Sequence, residues 1–194
     1  MPAASRSGKD GRTPKGLRIR REVPAGRHPM LAVFPGLDKL EAAVRLEPDP
    51  IVRKRLFEET CLEIVSEDVW MYVAPHRLPK GMRRRWKPHL SPGSDCIVVG
   101  AAHLKESPEL ILYLDIFHEL CHIRQRQAGQ ELFDRSESYV HRPTEIEAYR
   151  FAVDEARRLG VTDEVLRDYL RVEWVTEAEL LELFDAVGVA PPAP

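Results

Sequence analysis

Two histidines four residues apart, His118 and His122, stand inside a long apolar stretch, "PELILYLDIFHELCHIRQRQA". Residues i and i+4 of a helix lie on one face, one turn apart. A helix here aims both imidazoles at the same point, and the fold must supply whatever else meets them. The stretch reads as a helix from Pro108 to Ala128. Ser107 and Pro108 suit its N-cap and first position, Glu109 its first turn, and Gly129 its C-terminal cap. Asp115 interrupts the apolar run, and no stretch reaches the roughly 20 unbroken apolar residues of a membrane span.

Neutral imidazole is a good zinc ligand, and a catalytic zinc keeps three protein ligands and one open position. Glu119 directly follows the first histidine. Rotated by about 100° from it, Glu119 is off the ligand face but within reach of a water activated by the ion. It is the candidate general base for attack on a carbonyl. A third ligand of the metzincin type needs Gly at 125 and His at 128, where the chain has Gln125 and Ala128. A glutamate ligand on the next helix is open. "PTEIEAYRFAVDEARRL", from Pro143 to the residue before Gly160, offers Glu145 and Glu147, 23 and 25 residues after His122. Two apart on a helix, they point in different directions, so one can be the ligand. The other is a helix-start glutamate favoured by the dipole. Tyr139, His141 and Tyr149 are the candidate donors to an oxyanion. Cys121, inside the motif, reads as a packed core thiol.

The remaining pattern predicts a mixture of helices and strands. "LDKLEAAVRL" (37–46) and "IVRKRLFEETCLEIV" (51–65) have helical spacing, the second with Leu56, Cys61 and Ile64 on one side. "VWMYVAP" (69–75) and "CIVVGAAHL" (96–104) read as strands, with His103 near the end of the second. Residues 76–95, which include Arg83, Arg84 and Arg85, read as a long loop. "TDEVLRDYLRV" and "TEAELLELFDAV" close the chain as helices, the latter with a Thr176–Glu179 capping box. Residues 1–30 are rich in Gly, Pro, Ser, Arg and Lys, and read as a disordered basic arm. A single domain is expected over 31–190.

"FHELCH" followed by "EIEAYRFA" resembles the zinc-peptidase core of ImmA/IrrE-type proteins, in which HE-x-x-H is followed by E-A-x-x-F-A on the next helix. The resemblance covers about residues 96–159. It implies an α+β, zincin-like fold: a small twisted sheet packed on the motif helix and a following glutamate helix. Extra C-terminal helices lie over 161–188. It implies Zn2+ held by His118, His122 and Glu147, the last as the Glu of Glu147-Ala148-x-x-Phe151-Ala152, with Glu119 as general base. Several members cut or inactivate a DNA-binding repressor. The implied activity is hydrolysis of a protein or peptide substrate, a transcriptional regulator among them. The other expectation on the same fold is a regulatory metal-binding scaffold with little peptidase activity. Glu119 favours the enzyme, because a scaffold does not require a base there. In this architecture an edge strand lines the cleft and pairs with substrate, and "CIVVGAAHL" is the candidate. The chain departs from the family at Arg124, where an apolar residue is common. It also lacks the Leu-Leu-Met-Pro end of the family's second helix and shows no helix-turn-helix.

A net charge of -2 argues against bulk attraction to nucleic acid or acidic membranes. The arginine-rich segments are expected to be solvated, or to dock an acidic partner or DNA. No apolar h-region opens the chain, so no secretory signal is expected. Cys61, Cys96 and Cys121 form no zinc-ribbon pair and no evident disulfide framework. A reducing cytoplasm is the expected compartment.

Overall fold

The computed structural model describes residues 13–74, 96–132, 134 and 136–192. It is an α+β structure that divides into two compact units, Arg18–Lys105 and a second built on the residues from Glu106 onward. The expected loop at 76–95 lies outside the described residues, as do residues 1–12 of the expected arm.

The first unit carries β1 (Gly26–Pro29), α1 (Met30–Val33), α2 (Glu41–Leu46), α3 (Pro50–Glu59), β2 (Cys61–Val65), β3 (Met71–Val73), β4 (Cys96–Gly100) and α4 (Ala101–Glu106). Among the described residues the strands form one mixed sheet in the order β1-β2-β4-β3. β2 and β4 run parallel, and each has an antiparallel edge partner, β1 and β3 respectively. β4 is buried along its whole length, which explains its unbroken apolar run "CIVV".

Two expectations fail here. The helix expected over 51–65 stops at Glu59, and Cys61–Val65 is β2. Its start is local chemistry: Asp49 accepts from the Ile51 and Val52 N–H groups at 2.8 and 3.2 Å, with Pro50 next in line. Its end is set by strand pairing on both sides of β2, which overrides the helical spacing of Cys61 and Ile64. The strand expected over 96–104 ends at Gly100, and His103 lies on α4. A Cβ at Gly100 would collide with the Val69 carbonyl oxygen, so glycine permits that close approach. Beyond it, Ala101, Ala102, Leu104 and Lys105 are good helix formers.

The arm expected to be disordered through residue 30 is ordered well before that. Gly26–Pro29 pairs with β2, Arg27 meets Glu63 at 3.3 Å, and Arg21 donates to the Leu104 and Lys105 carbonyls at 3.2 and 3.0 Å. Backbone pairing and capping of α4 order a segment whose side chains are mostly polar.

Cys61 and Cys96 are register partners on β2 and β4, 4.6 Å apart between Cα atoms, and form a disulfide. The expected lack of a disulfide is therefore corrected, and the cysteines no longer argue for a reducing compartment. Among the described residues no helix is long and apolar enough to cross a membrane.

The second unit contains α5 (Glu109–Gln127), α6 (Pro143–Arg158), α7 (Asp163–Leu170) and α8 (Glu177–Val187). α5 matches its expected range to within a residue at each end, but Pro108 rather than Ser107 is the N-cap residue. It ends where Gly129 takes φ +85°. From Leu110 to Ile123 every residue of α5 except Asp115 is buried, so this helix is the core of its unit. α6 lies antiparallel against it. Ala148, Ala152 and Ala156, spaced by four, are fully buried, and Phe151 stacks on Phe117 with ring centroids 5.9 Å apart. Farther along, the Tyr113 hydroxyl donates to the buried Glu155 at 2.6 Å, and Arg158 completes that pair. The capping box on α8 is formed by Thr176 and Glu179 as expected.

Candidate metal centre

The α5–α6 packing brings three side chains together. His118 Nε2 and His122 Nε2 are 3.0 Å apart, and Glu145 Oε2 lies 3.5 and 3.4 Å from them. The i,i+4 spacing on α5 fixes the first pair. The rotation of α6 about its own axis then decides which glutamate faces them. It is Glu145. Glu147, expected as the third ligand, is two residues and about 200° farther round the helix. Its carboxylate is ion-paired with Arg124 and accepts from Gln125 Nε2 at 2.8 Å. Arg124, which stands where the resemblance implies an apolar residue, is the residue that engages it.

The group fits a metal ion on its own geometry. Ligands 2.0–2.1 Å from a tetrahedral ion stand roughly 3.3 Å from each other, close to the three separations here. All three residues are nearly inaccessible: His118 and His122 are 6 % exposed and Glu145 is 9 %. Glu145 Oε2 is buried without a hydrogen-bond partner although it faces two imidazoles. A buried carboxylate oxygen left in that state is costly unless a cation, a metal ion or a protonated imidazole, sits against it. His118, His122 and Glu145 could thus bind a metal ion.

Charge is unequally shared in the metal-free group. Burial, with the neighbouring His122, holds His118 below the ordinary histidine range. Burial also pulls His122 down, but the Glu145 carboxylate beside it, aided by Glu119 and Gln125, pushes it up to about 9. Burial works to raise Glu145, and the two imidazoles outweigh it, holding the carboxyl well below the usual range. Near neutral pH the group therefore carries one proton, on His122. A metal ion requires the neutral ring, so uptake must expel that proton. Calorimetric titration with zinc at about pH 7.5, in buffers of different ionisation enthalpy, is expected to show about one proton released per ion. Apparent affinity should fall as pH falls below 9. Uptake with no proton release would contradict the charged His122.

The surroundings of the group are aromatic. The Tyr149 ring lies 4.4 Å from that of His118, and the Tyr149 and Tyr139 hydroxyls share a hydrogen bond at 2.8 Å. Burial raises both phenols, and the charges of Glu145 and Glu119 act in the same direction. His141, the third expected donor, turns elsewhere: its ring contacts Ser138 Oγ at 2.9 Å and Glu182 at 3.1 Å. Glu119 is 7 % exposed and its charge is felt at His122, Tyr139 and Tyr149. Cys121 is fully buried and its thiol is pushed up to about 12 by burial, which fits an inert core residue. Gln125 was not foreseen: it meets His122 Nδ1 at 2.8 Å. Its place three residues after His122 was the available signal.

The fold and site define an α+β chain with a buried group of two histidines and one carboxylate suited to a metal ion. Compared with known proteins, the chain has no significant match to any family model, curated protein or solved structure.

Proposed function

We propose that the chain is a zinc-dependent metallopeptidase of zincin-like architecture, acting on a protein or peptide substrate. The ImmA/IrrE-type resemblance of its two motifs is part of this reading, and with it a DNA-binding regulator as a candidate target. The observation that carries it is the convergence of His118, His122 and the unpartnered Glu145 oxygen, with Glu119 beside the first histidine on the same helix. Two imidazoles and one carboxylate suit zinc and leave a fourth position for water or substrate. A zinc ion bound there supplies a Lewis acid for the peptide carbonyl and brings water into the range of deprotonation at neutral pH.

The chain's own groups account for the remaining work. Glu119 accepts the proton of the attacking water at its carboxylate and returns it to the leaving amine. Tyr139 and Tyr149, held protonated by burial, have one O–H proton engaged between them and one to donate to the developing oxyanion. The Tyr149 ring beside His118 and the burial of the group strengthen these charges.

Elemental analysis of protein purified without chelator, followed by incubation with a proteome-derived peptide library, tests the reading. One zinc per chain is expected, with cleavage that stops on chelation and returns on adding zinc. A chain that cannot be loaded, or cleavage indifferent to chelation, refutes it.

A further inference from the structure

Gln125 lies one turn beyond His122 on α5 and is only 1 % exposed. A primary amide buried so fully must have its donors and acceptor satisfied by protein. Its Nε2 donates to the Thr144 carbonyl at 2.9 Å and to Glu147 Oε2 at 2.8 Å. Only the amide NH2 can serve those two acceptors, so the oxygen faces the other way. There Oε1 meets His122 Nδ1 at 2.8 Å. An amide oxygen can only accept, so Nδ1 carries a proton and the neutral ring keeps its lone pair on Nε2. That nitrogen is the one facing His118 and Glu145.

We propose that Gln125 is the positioning residue of this site: held by Thr144 and Glu147, its carbonyl oxygen fixes His122 in the one tautomer that can ligate a metal ion. The proposal rests on the metal-binding reading of the group. It also gives Glu147 and Arg124 a role. Glu147 locks the amide from behind, and Arg124 compensates the charge of Glu147. The orienting atom is then neutral, unlike a carboxylate placed directly against the ring, and adds no second negative charge beside Glu145. Outer partners of this kind are worth about 10–100-fold in metal affinity.

The test is zinc affinity, measured by competition with a chromophoric chelator, in the wild type and three variants of the full chain. Q125L removes the acceptor and should weaken zinc by about 10–100-fold. Q125E keeps an acceptor but sets a second carboxylate against Glu147, and should weaken zinc as well. The double exchange Q125E/E147Q restores a donor behind the acceptor and should recover most of the affinity, which a general packing defect would not do. In the zinc-loaded wild type, nitrogen NMR should show the His122 proton on Nδ1. If the wild type takes up zinc and Q125L binds it equally tightly, Gln125 does not position His122 and the metal reading stands; equal binding by Q125E overturns the lock through Glu147. Weakened single variants that the double exchange fails to rescue overturn the relay through Glu147. If the wild type takes up no zinc, the metal reading falls and this proposal with it.

Discussion

Replacing Glu119 by Gln is expected to leave zinc uptake unchanged and to lower peptide hydrolysis by about 10²–10⁴-fold, the usual share of a general base. The substitution keeps the size of the side chain and its hydrogen-bonding capacity but removes the proton acceptor. Glu119 is outside the group His118, His122 and Glu145, so the ion loses no ligand. Its carboxylate is nevertheless within electrostatic reach of the cluster, since its charge acts to raise the pKa of His122, Tyr139 and Tyr149. The comparison uses a peptide that the wild type cleaves, with metal content measured on the same samples. Full activity in the zinc-loaded Glu119→Gln variant would remove Glu119 from the role of base. A wild type that cleaves nothing, yet binds a partner equally well with either residue, would instead fit a metal-binding scaffold.

Glu145→Gln is expected to reduce zinc affinity by more than the roughly 100-fold that bounds the effect of outer partners. The change removes the one charged ligand of the three and leaves two neutral imidazoles to hold a dication in a buried site. Glu147→Gln is expected to change affinity by less than about tenfold, because an amide there can still accept from Gln125. The contrast between the two variants, read by chelator competition, separates ligand from orienter. A large loss in Glu147→Gln with little loss in Glu145→Gln would return the third ligand to the position that the family pattern implied.

Much of the candidate site was legible because it is local. His118, Glu119 and His122 stand in a segment whose apolar residues and terminal glycine specify α5 with little help from the rest of the chain. Helical geometry then requires the two imidazoles to share a face. The second helix was equally plain from Pro143 to Gly160, and so was the Thr176–Glu179 box of α8. These features depend on residues within about one turn of each other.

What depended on partners distant in the sequence could be read only from the tertiary structure. Glu145 and Glu147 are both near the start of α6, and no local rule says how that helix is turned toward α5. Packing of Ala148, Phe151 and Ala152 sets the turn and brings Glu145 to the histidines. Cys61 and Cys96 are 35 residues apart, and only the parallel register of β2 and β4 makes them neighbours. The same pairing turns "CLEIV" from the end of a helix into a strand, and β1 draws order into a segment with few apolar side chains. Sequence alone thus determined which residues could carry metal chemistry and on which helices they lie. The tertiary structure decided which carboxylate joins them and which amide holds them, because those choices follow from helix rotation and strand register, quantities set by contacts between distant segments.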